Sequence, residues 1–213
     1  VETAALLLLA LAVSACSAED REVPEKTVRK LAGSPEAVDA RQDSEAGLRD
    51  VVQAYAERTP LKLGLVVVRD DCRGGTAKGW LETTDSDLYK ISCGLNVTAY
   101  FGADPKNIVS VLDGILTAGD RNVPGIEFNH AVDGALIDYY RKPYDKRNPE
   151  VPSRDAVSQS LKWDPVRDRQ WKPNFISEPT EPCENAPPVK RCLREPSSAT
   201  VAAIRKQYGM VFQ

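Results

Sequence analysis

Hydrophobic and polar positions divide the chain into stretches of distinct pattern. Residues 4–13 form an unbroken apolar run, residues 17–43 are polar with scattered apolar side chains, and regular periods begin at Ser44. Leu48, Val51, Val52, Tyr55 and Ala56 recur at helical spacing, which predicts a helix from Ser44, a fitting N-cap, to Arg58, with Pro60 beyond its end. Leu61 to Val68 reads as a strand from its β-branched content, and Thr76 to Thr83 as a weaker one past the Gly74-Gly75 turn. The clearest strand runs from Asp87 to Phe101. There Tyr89, Ile91, Cys93, Leu95, Val97, Ala99 and Phe101 alternate with polar or small residues, so one face meets the core and the other meets solvent or a shallow cleft. Cys93 falls on the inward face.

Asp104-Pro105 supplies an N-cap and a first helical residue for a helix carrying Ile108, Val111, Leu112 and Ile115 and closing at Gly119. A further helix is predicted from Phe128 to Lys142, through Val132, Leu136 and Tyr139, until Pro143 ends it. The fold class is therefore α+β: an antiparallel sheet of three or more strands with helices packed on one face. The last third differs, because ten of the fifteen prolines lie between Pro143 and Pro196. Only a short helix from Ser153 to Leu161 and a final one from Ser197 to Tyr208 are predicted there. Trp163, Trp171, Phe175 and Ile176 favour a proline-rich arm wrapped on the domain over a disordered tail.

The apolar run is about ten residues long, half of the roughly 20 needed to cross a bilayer, and small residues follow it as at the cleavage site of an export signal. Val13-Ser14-Ala15-Cys16 resembles the lipobox of bacterial lipoproteins, with an aliphatic residue three before the cysteine and two small ones between. The resemblance implies cleavage before Cys16, lipidation of its thiol and attachment outside the cytoplasm, on the periplasmic or cell-surface side. Two or more acyl chains, as in that family, hold a protein stably at a membrane. Ser17, where an Asp would retain a Gram-negative lipoprotein at the inner membrane, permits sorting to the outer membrane.

The cysteine count agrees with this reading. Five is odd, and lipidation of Cys16 leaves Cys72, Cys93, Cys183 and Cys192, an even set with three connectivities. Pairing in sequence order, Cys72–Cys93 and Cys183–Cys192, keeps each bridge within a local segment, and the first would contribute about 3 kcal/mol in the chain-entropy model. Structural zinc sites bring cysteines in pairs two to four residues apart, unlike these; no metal or cofactor is expected.

The expected organisation is a signal over 1–15, a lipidated N-terminus and tether over 16–43, and a single domain over 44–213, with the arm from 143. Two forms of the tether stay open. One is a coil averaging roughly 25 to 30 Å end to end; the other is a surface helix, since Pro24 can start a turn that Gly33 ends. The net charge of −3 falls to −2 when Glu2 leaves with the signal, which gives no electrostatic reason to expect nucleic acid. The membrane is met through the lipid on Cys16.

The common catalytic motifs are missing from the sequence: no Gly-x-Ser-x-Gly turn, no P-loop and no dinucleotide fingerprint. His130, the one histidine, shares a predicted helical surface with Glu127 and Asp133, an arrangement open to a general base, a weak metal site or a helix cap. Asp70-Asp71 and Asp85 with Asp87 are carboxylates of the kind glycoside chemistry needs in pairs, and turn or surface acids otherwise. Trp163, Arg167, Arg169 and Trp171, flanked by Lys162 and Lys172, combine the residue types of binding hot spots; the alternative is an arm pinned to the sheet by its tryptophans. Asn96-Val97-Thr98 matches a glycosylation sequon but reads as part of the strand. No catalytic residue is assigned. The expectation is a lipid-anchored extracytoplasmic binding protein that recognises a protein or cell-envelope component, an immunity-type protein among them. The alternative is an envelope hydrolase using His130 or a carboxylate pair.

Overall fold

In the computed structural model the residues described are 23–75, 90–120, 137–143, 161–167, 176–180 and 187–213. The expected signal, Cys16, the expected strand Thr76–Thr83, the expected helix from Ser153 and most of the expected helix from Phe128 lie outside them, though 137–141 are helical.

Pro24 precedes α1 (Glu25–Ala32), as the turn signals at Pro24 and Gly33 predict. Ser34 then caps α2 (Pro35–Arg58), its hydroxyl accepting from the Ala37 N–H with Pro35 at the first helical position. Thr59 ends the helix by donating to the Tyr55 carbonyl and accepting from Leu61 N–H. From Val23 on, the stretch expected as tether is thus part of the domain. Its helices are fixed because Val28 and Ala32 pack with Cys72 while Arg41 reaches Asp70. Ser44, the expected start of a helix, lies inside α2 and donates to the Ala40 carbonyl.

The sheet is antiparallel in the order β3-β1-β2-β4, with β1 at Lys62–Gly74, β2 at Ile91–Ala103, β3 at Val189–Glu195 and β4 at Met210–Phe212. Leu65 to Val68 are buried in succession, as a central strand covered on both faces requires. β2 alternates from Ile91 to Val97 and is then buried without break from Tyr100 to Ala103. Cys72 pairs directly with Cys93, and the two form a disulfide.

Helices lie on both faces of this α+β sheet, not on one. A 3-10 turn (Pro105–Asn107), capped by Asp104, leads into α3 (Ile108–Asp120). The predicted stripe Ile108, Val111, Leu112 and Ile115 packs with Tyr55, Phe101, Met210 and Phe212. On the opposite face, α4 (Val201–Tyr208) buries Val201 and Ile204 against Leu65, Val67, Tyr100 and Val211. That face can take a helix because its floor is glycine: a Cβ on Gly102 would stand 2.1 Å from the Tyr208 ring, and one on Gly64 2.6 Å from Ile204. Gly209, at φ 100°, turns the chain from α4 into β4.

Candidate functional site

Since α4 covers only the Leu65, Val67 and Tyr100 end of its face, the other end stays open among the described residues. Period two places Arg69, Asp71 and Arg73 of β1 there, beside Asn96, Gly94 and Ser92 of β2 in register. Arg73, Ser92, Gly94 and Asn96 are exposed. Arg69 Nε donates to Asp71 Oδ2 at 3.1 Å, Arg73 Nε stands 3.5 Å from Oδ1, and the Thr98 hydroxyl donates to Asn96 Oδ1 at 2.9 Å. Guanidinium, carboxamide and hydroxyl groups thus line a flat surface that can donate and accept hydrogen bonds. It is the polar face that the strand alternation predicted. Register puts Lys190 and Cys192 of β3 on the same face; Cys192 is disulfide-bonded, and Cys183, its expected partner, lies outside the described residues.

Of the carboxylates offered for glycoside chemistry, Asp70 and Asp71 do not converge. Adjacent in one strand, Asp70 and Asp71 point to opposite faces. Asp70 is 4% exposed and accepts both carboxylate bonds from Arg41 Nη1, at 2.9 and 3.1 Å, with Arg191 Nε at 3.7 Å. Arg191 also pairs with Glu45, which takes Arg49 Nε at 2.8 Å, and Arg49 Nη1 reaches Glu195 at 2.6 Å. Three arginines and three carboxylates alternate along this clamp, joining α2 to β1 and β3. Burial alone would push the Glu45 carboxyl up, but hydrogen bonds from Arg49 and Arg191 outweigh it and hold the group below the usual carboxylate range. Asp85, Asp87, His130, Glu127 and Asp133 lie outside the described residues.

Of the recognition cluster, Arg169 and Trp171 also lie outside, while Trp163 and Arg167 serve the fold. Trp163 bridges to Phe212, stacks on its ring at 6.0 Å, and donates its indole N–H to Tyr140 Oη at 3.0 Å. Arg167 donates to the carbonyls of Tyr139, Tyr140 and Lys142, closing the helical stretch 137–141. These two fit the alternative of an arm pinned to the sheet.

A residue that pattern reading missed organises this corner. Asp164, 2% exposed, accepts from Ile176 N–H at 2.8 Å, Val211 N–H at 3.0 Å and Arg205 Nε and Nη2 at 2.7 and 2.9 Å. The only hint in the sequence is a lone acid between Trp163 and Pro165. With four donors fixed on it, Asp164 is a structural acceptor.

Between α2 and the sheet lies an apolar cavity of about 110 Å³, lined by Val51, Val52, Tyr55, Leu61, Phe101 and Phe212 among others. Burial pushes the Tyr55 phenol up to about 12, so it is neutral at physiological pH. Among the described residues no three metal-binding side chains cluster, and no helix is long and apolar enough to cross a membrane. No family model matches this chain, nor does any curated protein or solved structure.

Proposed function

We propose that the protein is a lipid-anchored domain of the bacterial cell envelope, held outside the cytoplasm through Cys16, that binds a protein or envelope component through the open end of its sheet face. The observation that carries the reading is the state of the cysteines. Cys72 and Cys93 are joined, Cys192 is disulfide-bonded, and such bonds persist in the oxidising compartments to which the Val13-Ser14-Ala15-Cys16 signal directs a chain. The surface assignment is supported by Asn96, Ser92 and Arg73 standing exposed on strands whose other face is packed.

Two experiments test it. Cys16→Ala should move the protein from the membrane to the soluble fraction and end labelling with a fatty-acid analogue; a membrane-bound, unlabelled variant would sink the anchor. A photo-crosslinking residue at Asn96 should give one discrete adduct in intact cells, and the same residue at Glu57 on the outer side of α2 none. Equal adducts at both positions would remove the sheet face from the proposal. An immunity-type role is the narrower form of this reading, and a neighbouring gene for an exported toxin would support it.

A further inference from the structure

The anchor and the folded domain are closer together than composition alone implies. Val23 already packs in the cluster of Val28, Cys72 and Ile91, and Cys16 stands seven residues before it. A chain extends at most about 3.6 Å per residue, so Cys16 lies within about 25 Å of Val23. That brings one pole of the domain to the bilayer: α1 and the strand ends beneath it. Among the described residues this pole is cationic, although the chain as a whole is not. Lys26, Arg29 and Lys30 are exposed on α1. Glu25 pairs with Arg29, so Lys26 and Lys30 carry the net charge of α1. Val28 and Ala32 turn the apolar side of α1 onto the disulfide, which leaves its charged side outward.

We infer that the outward side of α1, with Lys26, Arg29 and Lys30, is a docking surface for an anionic bilayer, its ammonium and guanidinium groups meeting headgroup phosphates. This rests on the lipid-anchor reading and adds to it an orientation: the lipid supplies attachment, and the cationic pole sets which end of the domain faces the membrane. Each cation at an anionic surface strengthens association by roughly fivefold and is screened by salt. Glu19, Asp20 and Glu22, against Arg21, oppose it in the connecting stretch.

The test uses the mature chain with Cys16→Ser, which carries no lipid, and vesicles of phosphatidylcholine alone or mixed with phosphatidylglycerol. The expected result is a larger partition coefficient on the mixed vesicles at low salt, lost at high salt, and lowered about tenfold or more in Lys26→Glu/Lys30→Glu. Both positions are exposed, and an unchanged circular dichroism spectrum confirms the fold. Equal partition on the two vesicle types, or no effect of the double reversal, overturns the surface. Fatty-acid labelling of the unsubstituted protein in cells separates the two ideas, since its failure with vesicle binding intact removes the anchor and keeps the surface.

Discussion

Two buried aspartates hold the molecule together in different ways. Asp164 takes two backbone N–H groups and Arg205, thereby fixing main chain from residues 161–167, Ile176 and β4 in one place. Asp70 takes arginine side chains, one of them on Arg191, whose side chain is 43% exposed. One fixes where the backbone runs; the other fastens a finished helix to a finished sheet. The difference teaches that burial alone does not rank a charged group, because what loses its partner when the carboxylate goes is either fixed main chain or a side chain that other acceptors still hold, as the Ala32 and Ala37 carbonyls hold Arg41.

The sharpest way to break that comparison is to delete both. Asp164→Ala strands two amides and a partly buried guanidinium, so urea denaturation should show a loss of about 3 to 5 kcal/mol. Opening the Cys72–Cys93 bridge with Cys72→Ala/Cys93→Ala should cost about 2 to 4 kcal/mol. Amide exchange should then rise in α1 and at the Asp70 end while α4 and β4 stay protected; uniform loss of protection would mean the two regions are not separate units. Asp70→Ala should cost only about 1 to 3 kcal/mol, since its side-chain partners are arginines, and Arg41 keeps its bonds to the Ala32 and Ala37 carbonyls while Arg191 can hydrate. If it equals Asp164→Ala, the distinction fails.

Acid should affect both regions. Backbone bonds from Ala202 and Val201 and the Arg194 pair outweigh burial and hold Glu178 below its ordinary value, as Arg49 and Arg191 do for Glu45. A depressed folded-state pKa means stability complete above pH 4.5, the ordinary value, and lost as pH falls through the folded one. Glu45→Gln and Glu178→Gln should each flatten part of that loss in thermal melts. Tyr55 has the opposite sign, its raised value making stability fall as pH rises from 10 to about 12; Tyr55→Phe should blunt that alkaline limb.

How far the sequence was legible follows from what each element packs against. α3 and β2 bury apolar stripes, which carry a period, and Cys93 was placed correctly from alternation alone. The first half of α2 has charged partners, with Arg41 on Asp70 and Glu45 on Arg191, and ion pairs leave no hydrophobic period to read. Arg49 shows the same limit: its bond to Glu195 spans 146 residues, a distance no window along the chain covers. β3 was missed for a related reason, being an edge strand rich in Lys and Arg beside prolines, and β4 because three residues are too few for alternation. Alternation marks Ser92, Gly94 and Asn96 as the exposed face, but it also puts Tyr100 there, which α4 buries. Pinning by Trp163 is one of two readings its pattern allows, the role of Arg167 on the 139–142 carbonyls has no such pattern, and the Asp164 node, assembled from positions 41 and 47 residues distant, leaves almost no local trace.

The strand order has a consequence for how the molecule is made. β1 and β2 form a contiguous ribbon, yet both of its sides are closed by one late stretch: β3 lies along β1, α4 crosses the face, and β4 lies along β2. A chain delivered N-terminus first therefore carries a ribbon with two unsealed margins until 189–212 arrive. Contacts of such long separation make folding slow, and unsealed margins are templates for mispairing. Folding must outrun aggregation during that interval, so residues 189–212 decide when the protein becomes safe as well as what shape it takes.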